Sequence, residues 1–532
     1  MKVHSIPFQK TGYFSKLMND YLDKKSELSS FYGNYPDLEG FKNQLKLREN
    51  SNVDSDLSRS TLVKALKNQY SKFSISELTN SNINALNQQN SYTITTGHQL
   101  NIFTGPLYFL YKIVSTINLT KQLTKEFPEN NFVPVYWMAT EDHDFDEINY
   151  FNFKGKKVVW NRESSGAVGR LKTNGFDEVF SEFSKHLGST RNANYLKSLF
   201  EEAYLNHENL TDATRYLVNK LFGEFGLVII DGDDKSLKKQ FTPIVKDELL
   251  NATSFNKVTA TSAKLGENYK IQVNPREINL FYLTNNLRER IIFEDNSFKI
   301  NSTDITFTKD EIVMELENNP EKFSPNVIMR PVYQETILPN LCYIGGGGEL
   351  AYWFQLKDYF KAIHTPFPIL LLRNSALLIT EKQVEKAQKL HVSLEELFLK
   401  QADLIDKKVK EISEINIDFS NQKLFLQEQF IALKALAKQT DVSFIGAVNA
   451  QENKQLKGLN NLEKRLLKAQ KRKLSDEVSR LTILQNDLFP SKSLEERTRN
   501  FSEFYLELGE DLIPMLFDAL NPLDLTFSVI EY

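Results

Sequence analysis

The stretch SYTITTGHQLNIFTGPLYFLYKIVSTINLTKQL (91–123) decides how the rest of the chain is read. It opens with a short β-rich run, SYTITT (91–96), and passes through a turn at Gly97. Phe103-Thr104-Gly105-Pro106 then leads into the helical run PLYFLYKIVSTINLTKQL (106–123). Comparable runs follow at VPVYWMA (133–139), GLVIID (226–231), NVIMR (326–330), LCYI (341–344) and PFPILLL (366–372), and ELAYWFQLKDYFKAI (349–363) is a second helical partner. Short, continuous, apolar strands are those buried on both faces of a parallel sheet. Their alternation with helices predicts an α/β fold, doubly wound and Rossmann-like.

Two more polar stretches, 155–225 and 235–320, read as insertions on that core. YLKSLFEEAYL (195–205) and DATRYLVNKLFGEF (212–225) have the spacing of amphipathic helices. KIQVNPREINLFYLT (270–284) and RIIFEDNSFKI (290–300) predict a small antiparallel element. Beyond Ser375 the composition changes: Gly446 and Gly458 are the only glycines before Pro490, and no proline intervenes. Leu459, Leu462, Leu466, Leu474, Val478, Leu481 and Leu488 recur mostly at steps of three and four, a coiled-coil seam. A helix over 380–416 is expected to run antiparallel to it, with a third over 423–438 between them. The expected use is a protruding helical hairpin that pairs two copies; an ordinary helical bundle is the alternative. LDLTFSVIEY (523–532) is expected to return to the core as a strand. The expected domains are therefore 1–375, 376–490 and 491–532.

A length of 532 residues corresponds to about three or four ordinary domains. Lys plus Arg number 65 against 69 Asp plus Glu, a formal charge of −4, which indicates no nucleic-acid surface. One cysteine, Cys342, excludes an internal disulfide or a multi-cysteine zinc site; inside its apolar strand it reads as a packed residue. MKVHSIPFQKTGYF (1–14) lacks the apolar segment of a secretory signal, and PFPILLL is far shorter than the roughly 20 residues that cross a bilayer. The expectation is a soluble, cytoplasmic protein without membrane or nucleic-acid partners.

Ligands of open parallel sheets sit outside the carboxyl ends of the strands, so residues at those ends carry the chemistry. The first group is Gly97, His98 and Gln99, with Thr104 expected to cap the following helix and its free N–H groups expected to hold an anion. The second is Glu141-Asp142-His143-Asp144-Phe145-Asp146-Glu147, five carboxylates and one imidazole in seven residues. Neighbouring carboxylates would raise the pKa of His143 and make it a proton acceptor; a divalent metal is the competing use, without a recognisable ligand motif. The third is the run Gly345 to Gly348 followed by Glu349, where glycine permits close backbone approach to a ligand at a helix start. It matches neither a dinucleotide fingerprint nor a P-loop. The fourth, Asp231-Gly232-Asp233-Asp234, either turns the chain or binds hydroxyl or amine groups. Arg330 and Gln334 add polar candidates beside the glycine run.

TTGHQLNIFTGPLYFLYK, PVYWMATEDHDFDEIN and RPVYQETILPNLCYIGGGGELAYWFQLK, taken together, resemble the bacillithiol biosynthesis cysteine-adding enzyme family. The resemblance continues through LLLRNSALL (370–378) and LFPSKSLEERTRN (488–500) and covers most of 90–532 in the same order. It implies a Rossmann-like core with connecting-peptide insertions plus an α-helical coiled-coil domain that makes a homodimer. The implied activity adds L-cysteine to glucosaminyl-malate, forming the amide of bacillithiol. Carried over by motif, Gly97, His98, Gln99, Thr104, Glu141, Asp142, His143, Asp144, Gly347 and Glu349 would line the core pocket. An adenine nucleotide, ATP or ADP, would lie near the base of the coiled coil, against Arg373, Asn374, Ser375 and Asn500. The chain departs from the family at His98, often Gln there, and in the glycine run, which often contains Pro.

Amide formation needs an activated carboxyl, a neutral amine and a stabilised oxyanion. The expectation is that His143 removes the amine proton, with Asp144 orienting it or acting in its place and Glu141 beside them. Helix starts after Gly105 and Gly348 would receive malate carboxylates or the oxyanion. No Walker motif or adenylation signature indicates how the carboxyl is activated, and metal dependence is open. The competing readings are another carboxylate–amine ligase or a nucleotidyl-transfer enzyme on the same fold, and a non-catalytic, nucleotide-binding coiled-coil dimer.

Overall fold

Five apolar strands align in parallel because each is buried on both faces and joined to the next by a long crossover. In the computed structural model, which describes residues 1–51 and 55–532, they are β1 (Ser91–His98), β2 (Asn131–Met138), β3 (Val228–Asp231), β4 (Asn340–Gly345) and β5 (Ile369–Leu372). Their spatial order is β5-β4-β1-β2-β3, parallel throughout. Every residue of β1 is buried. Tyr92, Ile94, Leu341, Cys342, Ile344, Ile369 and Leu371 form one cluster with Leu119 and Leu123 of α1 (Tyr108–Glu126) and with Phe41 and Leu45 of the helix Leu38–Glu49. Cys342 is fully buried there, and burial drives its thiol pKa well upward.

The strand order has one consequence for function. From β1 the chain proceeds to β2 and β3 on one side, then returns to β4 and β5 on the other. Connections at β1 and β4 therefore leave in opposite directions, which opens a crevice beyond their carboxyl ends.

Three of the expected elements differ. NVIMR is not a strand: Asn326 accepts hydrogen bonds at Oδ1 from the N–H groups of Ile328 (2.9 Å) and Met329 (3.3 Å), and this starts the helix α2 (Met329–Ile337). Pro331 fits the first turn of α2, where its missing N–H costs nothing. The run 349–363 forms two short helices, α3 (Gly347–Trp353) and Lys357–Ala362. In the insertions, Arg191–Tyr204 and Leu210–Phe222 are helices, and Leu280–Thr284, Leu287–Glu294 and Ser297–Ile300 pair antiparallel. The strand that begins at Phe527 does not join the five-stranded sheet; it lies in a separate three-stranded sheet, between Lys2–Ile6 and the strand that begins at Ser375.

By its contacts the chain divides into a unit of Met1–Gln9, Tyr13–Leu377 and Leu494–Ile530, and a helical unit of Lys10–Gly12, Leu378–Ser493 and Glu531–Tyr532. In the helical unit the expected helix over 380–416 is broken. Glu381–Lys389 ends before His391, which takes a positive φ of 54°. Ser393 and Glu396 then hold each other's N–H groups at 2.8 and 3.2 Å, a new start that leads toward Gln401–Ile412. Ser420–Ala437 folds back on Val442–Lys473 as a hairpin, with Phe430, Ala437 and Val448 buried between them and Lys423 paired to Glu463 at 2.7 Å. Among the described residues no helix is long and apolar enough to cross a membrane.

Between β1 and α1 the chain passes through Phe103 and Thr104, both at positive φ (48° and 67°), an unfavourable conformation for residues with a Cβ. Packing enforces it. The Phe103 ring is fully buried among Phe151, Phe183, Phe200 and Phe501, with centroids 5.1 to 5.5 Å away, and its N–H donates to Tyr204 Oη at 2.6 Å. Phe103→Ala should destabilise the protein by about 3–5 kcal/mol, read as a lower denaturant midpoint.

Candidate active site

A cavity of about 680 Å³ occupies the crevice beyond β1, β2 and β4. Gly97, His98 and Gln99 enter it from the end of β1, Glu141, Asp142 and His143 from beyond β2, and Glu349 from α3. The structure thus brings these seven sequence candidates together. Thr104, Asp144 and Gly347 do not line the cavity. Thr104 is buried in the turn before α1 and makes no cap; the capping position is Leu107, whose N–H donates to the Arg499 carbonyl at 2.8 Å. The expected anion site at that helix start is therefore closed by backbone. Asp144 is exposed, and Gly347 lies against Met18, which a Cβ would approach to 3.0 Å.

The floor of the cavity is organised by a buried lysine. Lys112, 2% exposed, reaches from α1 to donate to the Gly97 carbonyl at 2.7 Å and to pair with Glu349 Oε1 at 2.6 Å. Glu349 also accepts from Tyr343 Oη (2.6 Å) and the Gly346 N–H (3.2 Å). Burial by itself would push the Glu349 carboxyl up; Lys112, the Tyr343 hydroxyl and the Gly346 N–H together hold it below the ordinary value of 4.5. Gly345 makes room for the Tyr343 ring, which a Cβ would meet at 2.9 Å. Gly345 and Gly347 thus fit the chain around Tyr343 and Met18, whereas a Cβ on Gly348 would meet nothing within 4 Å.

The acidic segment is tied down in the same way. Glu141 pairs with Lys238, itself 2% exposed, and Lys238 also donates to the Phe323 carbonyl at 3.0 Å. Gln99 Nε2 bridges Asp142 Oδ2 (2.8 Å) and Glu147 Oε2 (2.7 Å), while Asp142 Oδ1 accepts the His143 N–H at 2.7 Å. Among the described residues no three His, Cys, Asp or Glu side chains are grouped to hold a metal ion.

His143 corrects an expectation. Its pKa is lowered, not raised: half-burial disfavours the cation and Arg288 adds repulsion, which together outweigh Asp142, Asp144 and Glu289. Arg288 Nη1 lies 2.6 Å from His143 Nδ1. A guanidinium only donates, so Nδ1 is the acceptor and the imidazole is neutral, with its proton on Nε2.

Four guanidinium groups line the cavity, those of Arg276, Arg288, Arg290 and Arg330, and none forms an ion pair among the described residues. Arg288 instead contacts Ser324 Oγ (3.2 Å), the Pro325 carbonyl (3.3 Å) and the face of Phe281 (4.0 Å). These cations, with Lys112 and Lys238, are what sequence reading missed as a group. Two signals were present: Lys112 sits in the otherwise apolar run PLYFLYKIVS, and Arg288 and Arg290 alternate along one strand, so they share a face.

The residues expected at a nucleotide are engaged internally. Arg373, 4% exposed, pairs with Glu496 at 2.7 Å and donates to Ser375 Oγ at 3.0 Å. Asn374 bonds Ser115 and the Asn521 carbonyl, both at 2.8 Å, and Asn500 holds the carbonyls of Phe103 and Gly105 while capping Phe501–Leu508. None of the four lines the cavity.

Residues 1–374 match "Bacillithiol biosynthesis BshC, N-terminal Rossmann-like domain" and residues 376–532 match the C-terminal coiled-coil domain of the same proteins. The chain belongs to the BshC family. Among its relatives, "Putative cysteine ligase BshC" of Flavobacterium psychrophilum is 59% identical over 532 residues, spanning 100% of both chains. The proteins of the same name from Flavobacterium johnsoniae and Christiangramia forsetii are 59% identical over 530 residues and 57% over 537, with coverage of 100% of this chain and at least 99% of theirs. The BshC family thus combines a Rossmann-like core with a coiled-coil domain, as the resemblance implied.

Removing Lys112 tests the floor. Lys112→Met leaves Glu349 enclosed without its cation and should cost about 3–5 kcal/mol. In the wild type the Glu349 contribution is fully present above pH 4.5 and is lost as pH falls through the depressed native value. The variant should lack that acid-side component in stability measured between pH 7 and 3; an unchanged profile would contradict the assignment.

Proposed function

We propose that the protein is a cytoplasmic acid–amino acid ligase that joins L-cysteine to the amine of glucosaminyl-malate, forming the carbon–nitrogen bond of bacillithiol. The observation that carries this reading is the set of four unpaired guanidinium groups around a crevice at the strand ends. Both substrates bring carboxylates, and guanidinium groups gathered around one crevice without counter-charges favour an anionic ligand. Family membership over the whole chain supports the same reaction.

In this reading Arg276, Arg288 and Arg290, on the second insertion, receive the malate carboxylates. A carboxylate that draws Arg288 away from His143 Nδ1 frees that lone pair to take the proton of the attacking amine. Acceptor binding thus switches the base on. Glu141, locked on Lys238, and Asp142, locked on Gln99, fix the loop that carries His143. Asp144 is a solvent-facing alternative base. An adenine nucleotide would supply the activation of the cysteine carboxyl; no residue is assigned to it, because Arg373, Asn374, Ser375 and Asn500 are occupied.

The test is incubation with glucosaminyl-malate and isotopically labelled L-cysteine, with and without ATP and Mg²⁺, followed by mass spectrometry for bacillithiol. Product is expected only with the nucleotide; its absence from folded protein would sink the ligase reading and favour a binding role. Arg288→Gln should raise KM for glucosaminyl-malate by about tenfold or more, and His143→Ala should lower kcat by about a hundredfold. Because His143 in the free protein titrates below 6.5, kcat/KM should hold as pH falls past 6.5 and decline only below the depressed value.

A homodimer through the helical unit belongs to the same proposal. Leu424, Phe425 and Ile431 on Ser420–Ala437, and Phe444 and Leu462 on Val442–Lys473, are each at least half exposed. Faces this apolar indicate a covering partner, here a second copy. Phe425→Glu with Ile431→Glu should give a monomer in equilibrium sedimentation, where wild type gives a dimer.

A further inference from the structure

Two polar groups in the cavity have no partner. Arg330 Nη1 donates to Gln334 Oε1 at 3.0 Å, but Nη2 is buried and makes no hydrogen bond, and Arg330 forms no ion pair among the described residues. His98, 8% exposed, packs its ring against Tyr108 and Phe109, and its buried Nε2 likewise has no partner. Unsatisfied buried polar atoms are rare and costly, and two at one cavity point to a missing ligand.

The two sit on opposite faces of β1: Gly97 and its neighbour Trp137 face Arg330 and Tyr333, whereas His98 packs with Tyr136 against Phe109. A Cβ on Gly97 would stand 3.7 Å from Arg330 Nη1 and 3.2 Å from Tyr343 Oη, so the end of β1 passes directly under the guanidinium. The nearest acid, Glu349, is already engaged by Lys112 and Tyr343. Burial, with Lys112 and Arg373 nearby, drives the His98 pKa well down, so its imidazole is neutral.

We propose that the floor of the cavity is a carboxylate subsite in which Arg330 Nη2 holds the α-carboxylate of the amino-acid donor. This deepens the ligase reading and rests on it for the identity of the donor. Depth separates this subsite from the malate site. Arg276 is exposed and Arg288 and Arg290 are half-buried on the insertion, whereas His98, Tyr343 and Trp137 are buried in the core. The enclosing aromatic rings suit a small thiol side chain, since sulfur packs favourably against them.

The experiment is calorimetric titration of the full-length protein with L-cysteine, with cysteamine (which lacks the carboxylate) and with glucosaminyl-malate, for wild type, Arg330→Gln and Arg330→Lys. Thermal midpoints establish that each variant is folded. Cysteamine is expected to bind wild type at least about tenfold more weakly than L-cysteine. Arg330→Gln is expected to weaken L-cysteine by about ten- to a hundredfold while leaving cysteamine and glucosaminyl-malate within about twofold, and Arg330→Lys to restore part of the loss. Unchanged L-cysteine binding in Arg330→Gln overturns the subsite, as does no detectable L-cysteine binding to wild type. A loss confined to glucosaminyl-malate overturns the donor assignment and gives Arg330 to malate. These isotherms need no turnover, so they remain decisive even if the protein forms no bacillithiol.

Discussion

The ammonium of Lys112 is the interaction on which the site depends. It stands under the crevice with one hydrogen bond to the last turn of β1, at Gly97, and one ion pair to Glu349 on the helix that follows β4. These strands pair as far as Thr96 and Ile344, and beyond that point their connections leave in opposite directions. A charged group in this position is tolerated only with its partners in place. Its carboxylate is in turn oriented by Tyr343 and by the start of its own helix. The result is a rigid floor that leaves Arg330 and His98 as the open valences of the cavity.

The same economy governs the acidic side. Each strand-end carboxylate that lines the cavity has a structural partner, Glu141 on Lys238 and Asp142 and Glu147 on Gln99. The groups left without counter-charges are guanidinium groups. A crevice of that kind selects for anions, and one of its contacts, Arg288 to His143, is one that a carboxylate competes for directly. Substrate recognition and activation of the base are then a single event.

How much of this was legible in the sequence follows the range of the interactions. All five core strands, the first helix and the insertion helices were readable because apolar periodicity is local. NVIMR was misread because a single side chain, Asn326, starts a helix where the composition suggests a strand. Gly97, His98, Gln99 and the Glu141–His143 segment were visible because position at a strand end is itself a local signal. The sign of the His143 shift was not. Its carboxylate neighbours are adjacent in the chain, whereas Arg288 arrives from 145 positions away. Arg373, Asn374, Ser375 and Asn500 were legible as polar residues in a core, but the partners that occupy them come from Glu496, Ser115 and the turn at Phe103.

The claim that the crevice between β1 and β4 is where the carboxylate substrates act is tested most directly by a crystal structure with glucosaminyl-malate bound. The account predicts the malate carboxylates in the cavity within hydrogen-bonding distance of Arg288 and Arg290, with Arg288 withdrawn from His143 Nδ1. Ligand bound elsewhere, or bound here with the Arg288–His143 contact intact, would contradict it.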